Sequence, residues 1–160
     1  MKKLLIVWHS MTGGSEALAR AACAGAEDVD VWLLHAAAVG TEHMLAADGY
    51  LFVFPENLAA ISGVMKAFFD RCYYPCLGHI EGRPYALVVC AGSDGSNAVR
   101  QAERIATGWR LKRVADSIII CTHAQTPDAI LAAKTLTDAE LTQARDLGAT
   151  LAAGLAMGVF

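Results

Sequence analysis

No apolar run in this chain approaches the roughly 18 residues needed to cross a bilayer, so no membrane partner is expected. Basic residues are not in excess either. Thirteen Lys and Arg stand against sixteen Asp and Glu, a net charge of -3, which lacks the positive footprint that draws proteins onto a phosphate backbone and argues against a nucleic-acid partner. The five cysteines, Cys23, Cys72, Cys76, Cys90 and Cys121, are odd in number and contain no C-x-x-C spacing, which excludes a disulfide framework and fits a reducing compartment. Cys72 and Cys76 read as small buried apolar residues rather than a redox pair. His35, His43 and His79 have no partners at ligand spacing, so no metal site is expected. The apolar run Leu4 to Trp8 stops at His9, too short for the core of a signal peptide, and a cytoplasmic protein is expected.

What is present is apolar. Hydrophobic residues make up 55% of the 160 and charged residues 18%, which excludes disorder and suits one domain over residues 1–160 that buries roughly two thirds of its unfolded surface. Short continuous runs, Leu4 to Trp8, Val29 to Leu34, Tyr50 to Phe54, Tyr85 to Cys90 and Ser117 to Cys121, read as strands covered on both faces, and therefore as a parallel sheet. Helical spacing lies between most of them. Leu18, Ala21, Ala22 and Gly25 keep it, as do Val99, Ala102 and Ala106 before Gly108, and Ala144, Leu147, Gly148 and Leu151. Thr137 and Glu140 form a capping box. The segment Ala36 to Ala47 is only weakly helical. Alternating strands and helices predict an α/β three-layer sandwich with a five-stranded parallel sheet of order 2-1-3-4-5, which brings the loops after strands one, three and four to one edge.

The first of those loops, Ser10-Met11-Thr12-Gly13-Gly14-Ser15, opens a helix, where free N–H groups and the positive end of the dipole favour an anion. Three hydroxyls and two glycines offer neutral donors. The Walker pattern and its lysine are absent, which excludes triphosphate chemistry, and so is the G-x-G-x-x-G spacing. The third loop, Pro55 to Gly63, is small and apolar in its middle and leads to a helix with Ser62 at its cap. The fourth, Ala91 to Asn97, holds two glycines and two serines.

"IVWHSMTGGSEALA" resembles the S/T-x-T-G-x-T/S phosphate loop of the flavodoxin-like superfamily. "PENLAAISGVMKAFFDR" resembles the P-x6-S-G-x-x-K-x-F-x-D-R segment of its NAD(P)H-dependent oxidoreductase branch, the FMN reductases and tryptophan-repressor-binding-protein-like quinone reductases. The resemblance implies that Ser10, Thr12, Gly13, Gly14 and Ser15 hold an FMN phosphate. It further implies that Pro55, Glu56, Asn57, Leu58, Ala59 and Ala60 line the isoalloxazine, and that Ala91, Gly92, Ser93, Asp94 and Gly95 close its other side. The implied activity is FMN-dependent transfer of electrons from NAD(P)H to a quinone, flavin or similar acceptor, and the alternative is a flavodoxin-type carrier without nicotinamide turnover. Chemistry would then reside on the cofactor, with backbone N–H groups stabilising charge on the reduced ring.

Glu56 and Asp94 read as solvated loop carboxylates, and His9 as a locally bonded residue. His123 is expected at the rim. Lys66, Arg71, Arg100 and Arg104 are available to a dinucleotide phosphate, or are simply solvated. Two apolar stripes, Val64, Ala67 and Phe68 beside Met65, Phe69 and Tyr73, suggest a helix buried on both sides and hence a homodimer or homotetramer.

Overall fold

A computed structural model describes residues 1–160. Strand β1 (Lys3–Trp8) leads into helix α1 (Gly14–Gly25), followed by β2 (Asp30–His35), α2 (Thr41–Ala46), β3 (Gly49–Asn57), β4 (Ala60–Ile61) and α3 (Gly63–Cys76). The second half holds β5 (Pro84–Ala91), α4 (Ser96–Gly108), β6 (Lys112–Arg113), β7 (Ile118–Cys121), α5 (Pro127–Leu131) and α6 (Asp138–Met157). Strands β2, β1, β3 and β5 pair in that order, all parallel. β6 and β7 both pair parallel with β5, at Pro84–Tyr85 and Val88–Ala91 respectively. They are two pieces of one interrupted fifth strand, and the sheet keeps the 2-1-3-4-5 order of a flavodoxin-like sandwich.

The alternation of side chains along each strand divides the core in two. Leu5, Val7, Phe52, Phe54, Leu87 and Val89 face α3 and α4, where Phe68, Phe69 and Trp109 pack with them. Leu4, Ile6, Leu51, Val53, Ala86 and Val88 face α1 and α6. Those two helices approach closely at small residues. A Cβ on Gly25 would overlap the Arg145 carbonyl, and one on Gly148 the Ala22 carbonyl.

Several expectations change in detail. β3 runs past Phe54 and folds back through an antiparallel hairpin, with Asn57 opposite Ala60, where the sequence reads as a loop. Ala36–Ala38 forms a 3-10 turn and Thr41–Ala46 a short helix. α3 buries a single face, Met65, Phe68, Phe69, Cys72 and Cys76, while Val64 is exposed. The two sequence stripes thus merge, because Phe68 and Phe69 both reach the sheet. Ser62 precedes α3 as expected, but its hydroxyl caps no N–H; it bonds His9 instead. The Thr137–Glu140 capping box forms as read. No helix is long and apolar enough to cross a membrane.

Candidate functional site

The carboxyl ends of β1, β3, β5 and β7 open onto one cleft. Loop one contributes Ser10, Met11, Thr12, Gly14 and Ser15, β3 contributes Pro55, Glu56 and Asn57, and the end of β5 contributes Cys90, Ala91 and Gly92. Nine of the sequence-proposed residues therefore meet at this cleft. Beside them lie residues that sequence reasoning missed: Met11, Cys90 and, from the segment after β7, Thr122, Ala124, Ile130 and Lys134.

Loop one is built to leave donors free. Gly13 has φ +98 and serves as the cap of α1, with no side chain bonding the helix's first N–H groups. A left-handed residue there favours glycine. Ser10 Oγ accepts from Gly13 N at 2.9 Å, which folds the loop back on itself. Gly14 must also be small, since a Cβ there would stand 2.8 Å from Cys90 Sγ. Ser15 is only 2% exposed, yet its Oγ has no hydrogen-bond partner. A buried hydroxyl left unbonded costs about 1–3 kcal/mol. It lines the cleft beside the positive end of α1, so the arrangement fits an anionic group that accepts its hydrogen bond.

Glu56 is not the solvated carboxylate expected from sequence. One of its oxygens, Oε2, is buried without a partner, which leaves it an acceptor for a ligand N–H or proton. Asp94, by contrast, is exposed and bonds Ser96 through both backbone N and Oγ. Leu58 and Ala59 form the hairpin tip, with φ +50 and +62, and Leu58 is wholly exposed. Asn97 Nδ2 donates to the Ala59 carbonyl at 2.6 Å and Ile61 N donates to Gln101 Oε1 at 3.0 Å, so α4 braces the hairpin. Gly13, Leu58, Ala59, Ala60, Ser93, Asp94 and Gly95 stand outside the lining of the cleft. Ala60 lies in β4, Ser93 is exposed, and Gly95 caps α4 at φ +82.

His9 continues β1, donating its backbone N–H to Val53 O, and its Nδ1 lies 2.8 Å from Ser62 Oγ. Burial, and secondarily His35, holds its pKa below the ordinary value. Burial pushes the Cys90 thiol up to about 11, which keeps it protonated at neutral pH. Among the cations available to a dinucleotide phosphate, Arg71 is spent on the Ala36 and Val39 carbonyls and Lys66 pairs with Asp70. Arg100 bonds Asn97 Oδ1.

The family of NADPH-dependent FMN reductases matches residues 35–125, more than half of the chain, from the end of β2 through the loop after β7. The chain belongs to the NADPH-dependent FMN reductase family. A protein named flavodoxin from Aquifex aeolicus is 32% identical over 96 residues, 58% of this chain and 50% of that protein. The match thus spans half the length of that relative. An archaeal flavodoxin superposes with TM-score 0.78 at 19% identity over 96% of this chain and 98% of its own. A WrbA-like protein from Agrobacterium tumefaciens superposes with TM-score 0.76 at 17% identity over 99% of both chains. A flavodiiron protein from Giardia intestinalis aligns all but 1% of this chain onto 37% of its length, at TM-score 0.78 and 20% identity. These structures share the fold.

Proposed function

We infer that the chain binds FMN in this cleft and passes electrons from NAD(P)H through it to a small acceptor such as a quinone or free flavin. The observation that carries the reading is Ser15: a buried, unpartnered hydroxyl at an uncapped helix N-terminus, on a loop facing two further sheet-edge loops. Family membership supports the same reading. Ser10, Thr12, Gly13, Gly14 and Ser15 would hold the phosphate. Pro55, Glu56 and Asn57 would border the ring on one side, and Ala91 and Gly92 on the other, with Leu58, Ala59, Ala60, Ser93, Asp94 and Gly95 forming the outer turns of the same loops.

When bound, FMN supplies a centre that accepts two electrons from a nicotinamide and returns them to an acceptor. The chain's own contribution is placement and electrostatics. The free N–H groups of α1 and the Ser15 hydroxyl fix the phosphate. The buried oxygen of Glu56 accepts a hydrogen bond from a ring N–H, fixing the orientation of a flat heterocycle. The Cys90 thiol, held protonated by burial, packs beneath Gly14 and takes no part as a nucleophile.

The Aquifex relative favours a second reading, a flavodoxin-type electron carrier. Titration with FMN and then NAD(P)H under a quinone acceptor separates the two. FMN-dependent NAD(P)H oxidation supports the reductase; tight FMN binding without oxidation supports the carrier; and failure to bind FMN defeats both.

A further inference from the structure

The cleft has a fourth wall that loop one does not supply. The segment from Thr122 to Lys134 crosses from the end of β5 to loop one and is fastened at both ends. At its start, Thr122 N donates to Ala91 O at 2.9 Å and His123 N to Gly92 O at 2.8 Å. At its finish, Lys134 N donates to Thr12 O at 2.8 Å. Between them Thr126 accepts from Ala129 N, and Pro127 opens α5, so the strap carries its own turn of helix.

Lys134 therefore lies against the anion loop. Its Cβ and Cγ stand 3.5 and 3.8 Å from where a Cβ on Gly14 would be, and its carbonyl 4.0 Å from the same point on Gly13. The residue is part of the cleft's lining. The ammonium is close enough to oppose the rise in the Cys90 thiol pKa that burial causes. Nζ bonds the carbonyls of Ala129, Ile130 and Ala132 at 2.9, 2.8 and 2.6 Å. All three belong to exposed residues, and neutral carbonyls are weaker partners for an ammonium than a phosphate dianion is. Across the loop, the buried Ser15 hydroxyl awaits an acceptor.

We propose that Lys134, carried by the Thr122–Lys134 strap, is the cationic ligand of the phosphate monoester held by Ser10–Ser15. This rests on the FMN reading above and assigns to that site a charge that its own loop lacks. On binding, Nζ exchanges one or more α5 carbonyls for a phosphate oxygen, and the strap stays fastened through its backbone bonds.

The test compares FMN with riboflavin, which carries the same ring without the phosphate, by fluorescence quenching in the wild-type protein, Lys134→Met, Lys134→Gln and Lys134→Arg. The glutamine variant retains a donor for the α5 carbonyls and guards against a folding defect in the methionine variant. Neutral variants should bind FMN about tenfold or more weakly, as expected for loss of a charged hydrogen bond. Riboflavin affinity should stay the same, Lys134→Arg should retain most FMN affinity, and added salt should narrow the gap between wild type and variant. Equal losses for both flavins would make Lys134 a packing residue and overturn the proposal, as would unchanged FMN affinity in a folded variant. Wild-type protein that binds FMN no better than riboflavin would overturn the phosphate site itself and Lys134's role with it. Wild-type protein that binds neither flavin would overturn the FMN reading as well.

Discussion

The turn at the tip of the β3–β4 hairpin is expected to be stabilised by replacing Leu58-Ala59 with Asn-Gly. Asn57 and Ala60 pair across a two-residue loop whose residues have φ +50 and +62, the pattern of a type I′ turn, which favours Asn-Gly. A side chain with a Cβ in the left-handed region costs about 1–2 kcal/mol. Glycine at 59 removes that strain but widens the unfolded ensemble, for a net gain of about 1 kcal/mol. Asparagine at 58 tolerates the same region better than leucine and adds about 0.5 kcal/mol. The bracing bonds run from Asn97 to the Ala59 carbonyl and from Ile61 N to Gln101, so neither depends on the replaced side chains. Leu58 is wholly exposed, so no buried contact is lost. A combined gain of about 1.5 kcal/mol corresponds to a rise in Tm of about 3–6 °C for a domain of this size. Urea melts by circular dichroism, with the m-value unchanged, measure it. An unchanged or lowered midpoint would refute the strained-turn account.

Ser15→Ala should raise the stability of the ligand-free protein by about 1 kcal/mol, because an unbonded buried hydroxyl disappears, and weaken FMN binding about tenfold; urea melts and flavin titration on the same preparation check the opposed signs. Gly148→Ala should destabilise by about 2 kcal/mol or more despite alanine's better helix propensity, since its Cβ would overlap the Ala22 carbonyl of α1, and a neutral melt would rule out that helix contact. In native protein at pH 8, iodoacetamide should modify only Cys23 and Cys121, which are partly exposed. Cys72, Cys76 and Cys90 are buried with thiol pKa values pushed up, the last two to about 11, and mass spectrometry finding early alkylation of any of them would contradict that burial. Because His9 titrates below its ordinary 6.5 in the folded chain, the unfolded chain binds the proton first as pH falls. Its contribution to stability is therefore intact at pH 7.5 and declines below about 6.5 until the folded pKa is passed. His9→Gln should flatten that part of the profile between pH 7.5 and 5.5, and an unaltered pH dependence would sink the assignment.

Strands β1, β3 and β5 were legible because they are largely buried on both faces and read as unbroken apolar runs. β2 and β7 are only partly buried but keep apolar runs of their own, and the reading fails where no such run exists. β6 is two exposed charged residues, Lys112 and Arg113, whose pairing with Pro84–Tyr85 depends on position alone. The hairpin was missed because Leu58-Ala59 carries none of the turn chemistry that normally announces a two-residue loop. α2 buries only Met44, too little to set up a period. The anion loop was legible from its glycines and hydroxyls, since local chain geometry is what those residue types encode.

Charge at the site was not legible, because it is set by tertiary structure rather than by the loop. Read alone, Ser10 to Ser15 describes a pocket of neutral donors. The fold adds Lys134 from a strap fastened to Thr12, and sets it against the helix end that already favours anions. Glu56, on the extension of β3, brings a buried carboxylate oxygen to the same cleft. On the FMN reading, a ligand with an anionic end and a ring bearing an N–H would be favoured in one orientation, phosphate toward α1 and Lys134, ring edge toward Glu56. In the reverse orientation phosphate would meet a partly buried carboxylate, and like charges in a partly desolvated cleft repel. On that reading the polarity would orient the ligand before any ring contact is made. Glu56→Gln, by removing the opposing charge while keeping an acceptor, should therefore leave flavin binding intact and let inorganic phosphate compete with FMN more effectively.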